Sequence, residues 1–193
     1  FYIRIVLWYS KCSNKSRANL DAVKMDKTKE KYNAYIQILK EELIPAMGCT
    51  EPIALAYAAA VARKVLGQLP ERVDIGASGS IIKNVKSVIV PNTDHLKGIP
   101  AAATAGIIAG DPDKELEVIA SVTKEQVEEM KEFLKKTPIS VEHVDNGLTF
   151  DIIVTLYKGD EYAKVRIANY HTNIVLIEKN GEILEQTEVA GET

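Results

Sequence analysis

The chain has little of what marks nucleic-acid-binding, secreted or membrane proteins. Its 193 residues carry a net charge of −3 and only 6% aromatic side chains, so neither a basic surface nor a stacking platform for bases is predicted. Two cysteines, Cys12 and Cys49, are too few for a disulfide framework and agree with a reducing cytoplasm. They are also too few for a zinc or iron–sulfur site made of cysteine alone. No apolar run approaches the roughly 18 residues of a membrane-spanning helix.

The first 24 residues differ in character from the rest. Arg4 interrupts their apolar cluster and no small-residue cleavage site follows, which argues against a secretory signal. Met25 is followed at once by an amphipathic pattern. We therefore expect residues 1–24 to be a poorly ordered leader and residues 25–193 to form one domain.

Helical patterns dominate residues 26–136. Apolar side chains three and four residues apart predict a helix from Asp26 to Leu43 that Pro45 ends. A second helix is predicted to begin at Thr50-Glu51-Pro52, because Thr50 is a good cap and proline is tolerated in the first turn. The sequence predicts that this helix reaches Gly67 and is buried.

Shorter segments follow between the second helix and Lys136. Residues 72–77 read as a strand, and residues 81–90 fit either a helix or a strand. Pro100 to Ala109 is rich in alanine and glycine, which lets two backbones approach closely. Thr123 and Gln126 form a capping box at the start of a third long helix.

After Pro138 the pattern changes to strands. Residues 138–144, 148–157 and 161–168 alternate apolar and polar side chains, and residues 173–185 turn back at Asn180-Gly181, a hairpin signal. The order of elements predicts an α+β fold, with a helical amino-terminal part packed on an antiparallel sheet toward the carboxyl end.

The segment Gly48-Cys49-Thr50-Glu51-Pro52 is the strongest candidate for chemistry. A cysteine just before a helix faces unpaired backbone N–H groups and the positive end of the helix dipole, which are expected to lower the pKa of its thiol. The same N–H groups can hold a substrate carboxylate, and Gly48 would let the backbone approach a ligand. The alternative is a buried cysteine that packs as a small hydrophobic side chain.

Two further segments carry candidate polar groups. Ser78-Gly79-Ser80, followed by Asn84, gathers small donors beside a strand end, although such turns are also ordinary loops. His171-Thr172-Asn173 lies between two predicted strands, where a histidine can move protons near neutral pH or simply bond its own loop.

A family resemblance rests on four stretches of this sequence. MGCTEPIALAYAAA, SGSIIKNVKSVIVPNT, KGIPAAA and HTNIVLIEKNGE resemble the amino-terminal region of the L-cysteine desulfidase family, which is similar to the α chains of iron–sulfur L-serine dehydratases. The resemblance covers Lys27 to Glu185 and leaves out residues 1–24.

The resemblance implies a β-elimination that converts L-cysteine or L-serine into pyruvate, ammonia and sulfide or water. In such a lyase a [4Fe–4S] cluster binds the leaving group while a base removes the α-proton. The cysteines that hold the cluster would belong to a carboxyl-terminal half beyond Thr193. We therefore expect this chain alone to be inactive and to bind no cluster.

The same resemblance places Cys49 in the active site, as a base or a transient metal ligand. Together with Cys49 we select His171 as a catalytic residue. We expect the remaining candidates to bind substrate at a common site on an open face of the domain. The substrate-binding candidates are Thr50, Glu51, Ser78, Ser80, Asn84, Thr172 and Asn173.

Two other functions stay open. The chain could be a non-catalytic small-molecule binding or oligomerisation domain, or a hydrolase in which His95, His143 or His171 activates Cys49. For the lyase, the expected partners are a small amino acid and the missing carboxyl-terminal half in the cytoplasm, without nucleic acid or membrane, and a homo-oligomer stays open.

Overall fold

A computed structural model describes residues 29–42, 46 and 48–191 of the chain. Several sequence-based expectations lie outside these residues and remain expectations. They concern the leader 1–24, the helix limits Asp26 and Leu43, its stop at Pro45, and Met47 of the cysteine motif.

The chain divides into two compact units, residues 1–44 and residues 45–193. The described part of the first unit is one helix, α1 (Lys29–Glu42), which lies inside the helix predicted from Asp26 to Leu43. The second unit contains every candidate site residue.

The second unit has four α-helices, one 3₁₀ helix and six strands among its described residues, and this composition confirms the α+β class. They are, in order, α2 (Thr50–Leu66), β1 (Arg72–Ala77), α3 (Gly79–Val85), α4 (Gly98–Ala109), the 3₁₀ helix (Pro112–Glu117), α5 (Lys124–Lys136), β2 (Ile139–His143), β3 (Asp151–Lys158), β4 (Glu161–Ala168), β5 (Ile174–Lys179) and β6 (Glu182–Gln186).

The six strands form one mixed sheet in the order β2-β1-β3-β4-β5-β6. Strands β3 to β6 are antiparallel neighbours, as predicted, but β1 pairs in parallel with β2. Strand β1, which comes from the mainly helical first half of the chain, thus lies inside the sheet and is antiparallel to β3. The alternating burial of Val73, Ile75 and Ala77 specified the face that β1 buries, but alternation does not specify which strand lies beside it.

Helix α2 forms the centre of the core, where it packs against β3, β4 and α4. It buries every residue from Pro52 to Ala62 and also Leu66, as its apolar sequence predicted. The close approach of two backbones in the alanine- and glycine-rich segment is also confirmed. A Cβ atom at Gly106 of α4 would lie only 2.0 Å from the carbonyl oxygen of Ala56 in α2, so a glycine is required there.

Local signals in the sequence are reproduced closely. Thr123 and Gln126 form both hydrogen bonds of the predicted capping box. Asn180 and Gly181 have φ angles of 51° and 85°, which is the two-residue type I′ geometry of a hairpin between β5 and β6. The ambiguous segment 81–90 continues α3 as far as Val85.

Candidate functional site

The amino terminus of α2 is the structural centre of the candidate site. Cys49 is the N-cap residue, with extended backbone angles, and its side chain does not cap the helix. Its predicted place at a helix start is therefore confirmed. The side chain is exposed, so the alternative of a buried cysteine is wrong. The first turn of α2 thus has no side-chain cap hydrogen bond from this residue.

A short chain of hydrogen bonds joins Cys49 to α3. The thiol of Cys49 donates to Glu51 Oε2 at 2.9 Å, and the amide of Asn84 donates to Glu51 Oε1 at 3.3 Å. One carboxylate thus connects the start of α2 with a residue 33 positions later. All three residues had been selected from the sequence, and the structure brings them together.

The expected lowering of the Cys49 pKa is wrong. Partial burial of the sulfur, the hydrogen bond to Glu51 and the negative charge of that carboxylate raise the pKa of Cys49 above its ordinary value. The backbone N–H of Glu51 acts in the opposite direction but is outweighed. A thiol that donates to a carboxylate is held in its protonated form, because ionisation would place two negative charges side by side.

Glu51 shows the complementary behaviour. The hydrogen bond from Cys49 lowers the pKa of the Glu51 carboxyl, partial burial opposes this, and Asn84 and the nearby His171 contribute to the lowering. Glu51 is therefore ionised at neutral pH, while the adjacent thiol keeps its proton.

A second pair of residues lies beside the first. Thr50 Oγ1 is hydrogen-bonded to His171 Nε2 at 2.9 Å, across 121 positions of sequence. The imidazole also meets the ring of Phe150 edge to face, with centroids 4.6 Å apart. These contacts place the ring of His171 beside Thr50, the first residue of α2 and the sequence neighbour of Cys49.

The two serines of the Ser78-Gly79-Ser80 turn are not equivalent. Ser78 is the N-cap of α3 and only 2% exposed, and its hydroxyl donates to the carbonyl of Thr149 at 2.7 Å. It therefore stabilises the loop before β3 rather than a ligand. Ser80 is exposed in the first turn of α3, on the helix that also carries Asn84.

Thr172 and Asn173 shape the turn that presents His171. The Asn173 amide donates to the carbonyl of Ala168 at 2.8 Å, and the carbonyl of Thr172 accepts from the N–H of Ile174 at 3.0 Å. Asn173 is thus used to close the connection between β4 and β5. The structure assigns it a supporting role next to His171 rather than a demonstrated place in a ligand site.

The turn from Pro91 to Lys97 borders the same helix start. A Cβ atom at Gly48 would lie 3.3 Å from Pro91 Cγ, so Gly48 makes room for this turn instead of the ligand that the sequence suggested. Asn92, Asp94 and His95 all have positive φ angles, which is uncommon for residues other than glycine. The Asn92 amide donates to the Ile119 carbonyl at 3.1 Å and holds the turn in place.

The other two histidines were alternative bases for a cysteine hydrolase. His95 is exposed in the turn just described, and His143 ends β2 next to Gly79. His171 is hydrogen-bonded to Thr50, whereas the thiol donates to Glu51. This arrangement does not provide the thiol-to-imidazole hydrogen bond that a cysteine nucleophile needs.

Metal ligands and membrane-spanning helices were also sought in the described part of the chain. Residues 29–42, 46 and 48–191 contain no group of three or more His, Cys, Asp or Glu side chains placed to hold a metal ion. Within the same residues, none of the helices combines the length and apolar character needed to cross a bilayer.

A cavity of about 350 Å³ is lined by residues of β4, β5 and the end of β6 and by residues 187–189 that follow it. Its charged side chain Arg166 makes a bidentate pair with the buried Asp151, at 2.9 and 3.0 Å. Asn146 also donates to Asp151, at 2.6 Å. This pair satisfies a buried carboxylate, and none of the candidate residues around Cys49 lines the cavity.

Sequence reasoning missed two contributors to the site. Phe150 packs on His171, and the Thr149 carbonyl accepts from Ser78. Both precede β3 in a loop whose turn signal, Asn146-Gly147, does not indicate either contact. The Cys49–Glu51 contact could have been found, because an N-cap residue and the second residue of its helix lie side by side.

Comparisons with known proteins find relatives that are much longer than this chain. It is 57% identical over 160 residues to a UPF0597 protein of Desulfitobacterium hafniense, covering 83% of this chain and 37% of that protein. A UPF0597 protein of Treponema denticola is 47% identical with the same coverage. One of Fusobacterium nucleatum is 46% identical over 154 residues, covering 80% and 36%.

The chain therefore spans little more than a third of the length of these relatives. Their name states no activity. No family model matches the chain. No solved structure matches it either.

Proposed function

We propose that this chain is the substrate-handling part of an iron–sulfur-dependent amino-acid lyase. The reaction would be β-elimination from L-cysteine or L-serine to pyruvate, ammonia and sulfide or water, in the cytoplasm. The single observation that best supports this is the Thr50–His171 hydrogen bond beside the Cys49–Glu51 pair. It gathers an imidazole, a carboxylate, a thiol and a helix amino terminus, and the thiol belongs to the cysteine that the resemblance to L-cysteine desulfidases places in the active site.

The proposed roles of the chain's own residues follow from their chemistry. The first-turn N–H groups of α2 would hold the substrate carboxylate, and Ser80 of the exposed face of α3 would add a donor. His171 would transfer a proton near neutral pH, because its ring is fixed by Thr50 and Phe150. Cys49 would contact the substrate, since its sulfur is exposed at the same helix start.

The cluster itself does not fit the described residues. Cys49 offers one thiol, and residues 29–42, 46 and 48–191 gather no three metal ligands, whereas a cluster of this kind needs about three or four cysteine thiolates. The lyase proposal therefore requires ligands from the remaining length that the UPF0597 relatives have.

The proposal is tested with the full-length polypeptide that contains this chain. After anaerobic reconstitution with iron and sulfide, we expect L-cysteine or L-serine to yield pyruvate in stoichiometric amounts. His171→Asn should reduce the turnover roughly 100-fold or more, as expected for loss of a proton-transfer group. Cys12→Ser is the matched control for cysteine chemistry and should keep the activity. Absence of pyruvate from every small β-substituted amino acid would overturn the lyase.

A second candidate, an oligomerisation domain, has one observation in its favour. The edge strand β6 exposes Ile183 and Leu184 to 54% and 52%, and an unpaired strand edge can bind another strand. Light scattering of the chain and of Ile183→Lys would test it. A dimer that the substitution abolishes would support this function, and a monomer over a wide concentration range would exclude it.

A further inference from the structure

Helix α1 carries an exposed apolar stripe. Tyr32 and Tyr35 are each 65% exposed and Leu39 is 51% exposed, and the less exposed Ile36 lies between them. These four residues, which we call the α1 stripe, are three and four positions apart and therefore share one face of the helix. Such a face is typical of a helix that packs against another surface, and soluble proteins rarely leave contiguous apolar patches uncovered without a binding role.

The length of α1 also indicates that it needs a covering surface. The helix has 14 residues, and isolated helices shorter than about 12–15 residues are marginal in water even when they are rich in alanine. Its sequence KEKYNAYIQILKEE contains one alanine and two β-branched isoleucines, which are weaker helix formers than alanine. Most of the stability of such a helix comes from packing of its apolar face. A surface that covers the stripe would therefore stabilise the helix itself.

A second copy of this chain is a poor occupant of the stripe. From Tyr32 to Leu39 the stripe extends over roughly two helical turns, whereas pairing between helices of separate chains is typical of apolar repeats sustained over about three or four heptads. Two free molecules also lose translational and rotational freedom when they associate. A surface in the same polypeptide is tethered to the helix at an effective concentration that can reach the millimolar range. A short stripe is then sufficient for docking.

The relatives indicate where such a surface can come from. The 160 matched residues are 83% of this chain but only 37% of the Desulfitobacterium hafniense protein. Because 33 of the 193 residues lie outside this match, a continuous match includes Tyr35, Ile36 and Leu39 whichever end is left out. Most of the stripe thus belongs to the region shared with a polypeptide that has much further length to cover it.

We propose that the α1 stripe docks in an apolar groove formed by the part of the full-length polypeptide that lies outside this chain. The floor of the groove would take Ile36 and Leu39. Its rim would supply acceptors for the hydroxyl groups of Tyr32 and Tyr35, because a buried tyrosine hydroxyl needs a hydrogen-bond partner. The inference does not rest on the proposed lyase. It requires only that the polypeptide has the length of its relatives.

Hydroxyl-radical footprinting tests the docking without any measurement of activity. Trypsin cleavage after Lys31 and Lys40 releases the whole stripe on one peptide, so the oxidation of Tyr32 and Tyr35 is read by mass spectrometry. We expect both tyrosines to be oxidised roughly tenfold more slowly in the full-length polypeptide than in the chain alone, since protection follows the fraction of time that a contact is open. This protection should not depend on protein concentration.

Two substitutions on opposite faces of α1 complete the test. Leu39→Glu places a charge in the stripe and should remove the protection of Tyr32 and Tyr35 in the full-length polypeptide. Ala34→Glu is the matched control, because Ala34 is exposed on the opposite face of the same helix, and it should keep the protection. Equal oxidation of the two polypeptides, or protection that Leu39→Glu leaves intact, would overturn the inference.

Protection that is already present in the chain alone would overturn the inference as well, and its concentration dependence would identify the occupant. Protection that increases with concentration would assign the stripe to a second copy of the chain. Protection that is independent of concentration would assign it to residues 45–193.

Discussion

Helices α2 and α5 begin with the same two kinds of residue, but the side chains make different hydrogen bonds. Each has a polar N-cap residue, Cys49 or Thr123, and a glutamate at the second helical position, Glu51 or Glu125. At α5 the Thr123 hydroxyl accepts from the N–H of Gln126, and the Gln126 side chain accepts from the N–H of Thr123. At α2 the side chains of Thr50 and Glu51 reach other segments of the chain.

The difference separates a helix start that caps itself from one whose first side chains contact other segments of the chain. The α5 start satisfies its own backbone groups within four residues, which is what a capping box does. The α2 start leaves its N–H groups without a side-chain cap and depends on packing elsewhere in the helix.

The largest effect is expected from breaking the packing that holds α2. In Gly106→Ala, the new Cβ would lie 2.0 Å from the Ala56 carbonyl oxygen, so α2 and α4 must separate. We expect a loss of about 3 kcal/mol in the free energy of unfolding, at the upper end for overpacked cores, measured by urea denaturation. Gly79→Ala is the control, because its Cβ meets only the edge of the His143 ring at 3.3 Å. Equal stability of the two variants would contradict the tight α2–α4 contact.

A smaller change in the free energy of unfolding is expected when the two N-cap residues are replaced. Thr123→Ala should lower the free energy of unfolding by about 1 kcal/mol, because it removes a working side-chain cap. Cys49→Ala should change it by less than about 0.5 kcal/mol, as for exposed positions without such a feature. Both are measured by the same denaturation. A larger loss in Cys49→Ala than in Thr123→Ala would show that the thiol supports the fold and not a ligand.

The smallest effect concerns the carboxyl groups of Glu51 and Glu125. The pKa of each is lowered, at Glu51 first by the Cys49 thiol with a contribution from Asn84, and at Glu125 by its own N–H and the Thr123 hydroxyl. Each carboxylate thus stabilises the fold above its ordinary pKa, and this stabilisation is lost as the pH falls through the lowered value.

Carboxyl NMR titrations can show that the two shifts have different sources. Asn84→Ala should raise the pKa of Glu51 and leave that of Glu125 unchanged, because Asn84 belongs to another helix. Thr123→Ala should do the reverse. If either variant moves both carboxyl groups, the two helix starts are coupled and the comparison fails.

The parts of the fold that the sequence predicted are those with local causes. The capping box at Thr123, the Asn180-Gly181 turn and the close approach at Gly106 each depend on the residues at the position itself. The place of β1 between β2 and β3 could not be predicted, since side-chain alternation gives the buried face of a strand without its neighbours.

For the candidate site, the sequence predicted which residues take part better than it predicted the hydrogen bonds that they make. The helix start next to Cys49 followed from Thr50 and Pro52, although the N-cap residue is Cys49 and not Thr50. The protonated state of its thiol did not, because the contact with Glu51 reverses the influence of the helix dipole. Ser78 looked like a ligand group from its neighbours, yet it serves the loop at Thr149, which no periodicity in the sequence indicates.

The contact between Thr50 and His171 also has a consequence for how the molecule forms. The two residues are 121 positions apart, so their pairing closes a very long loop, and contacts of this kind are reached late in folding. On the ribosome, α2 and the first strand emerge well before the β4–β5 connection is synthesised. The carboxylate and thiol of α2 can meet early, because they are neighbours in sequence. The imidazole of His171 can join them only after β4 and β5 have paired, because His171 lies in the connection between these strands. The candidate site is therefore completed near the end of the folding of this unit.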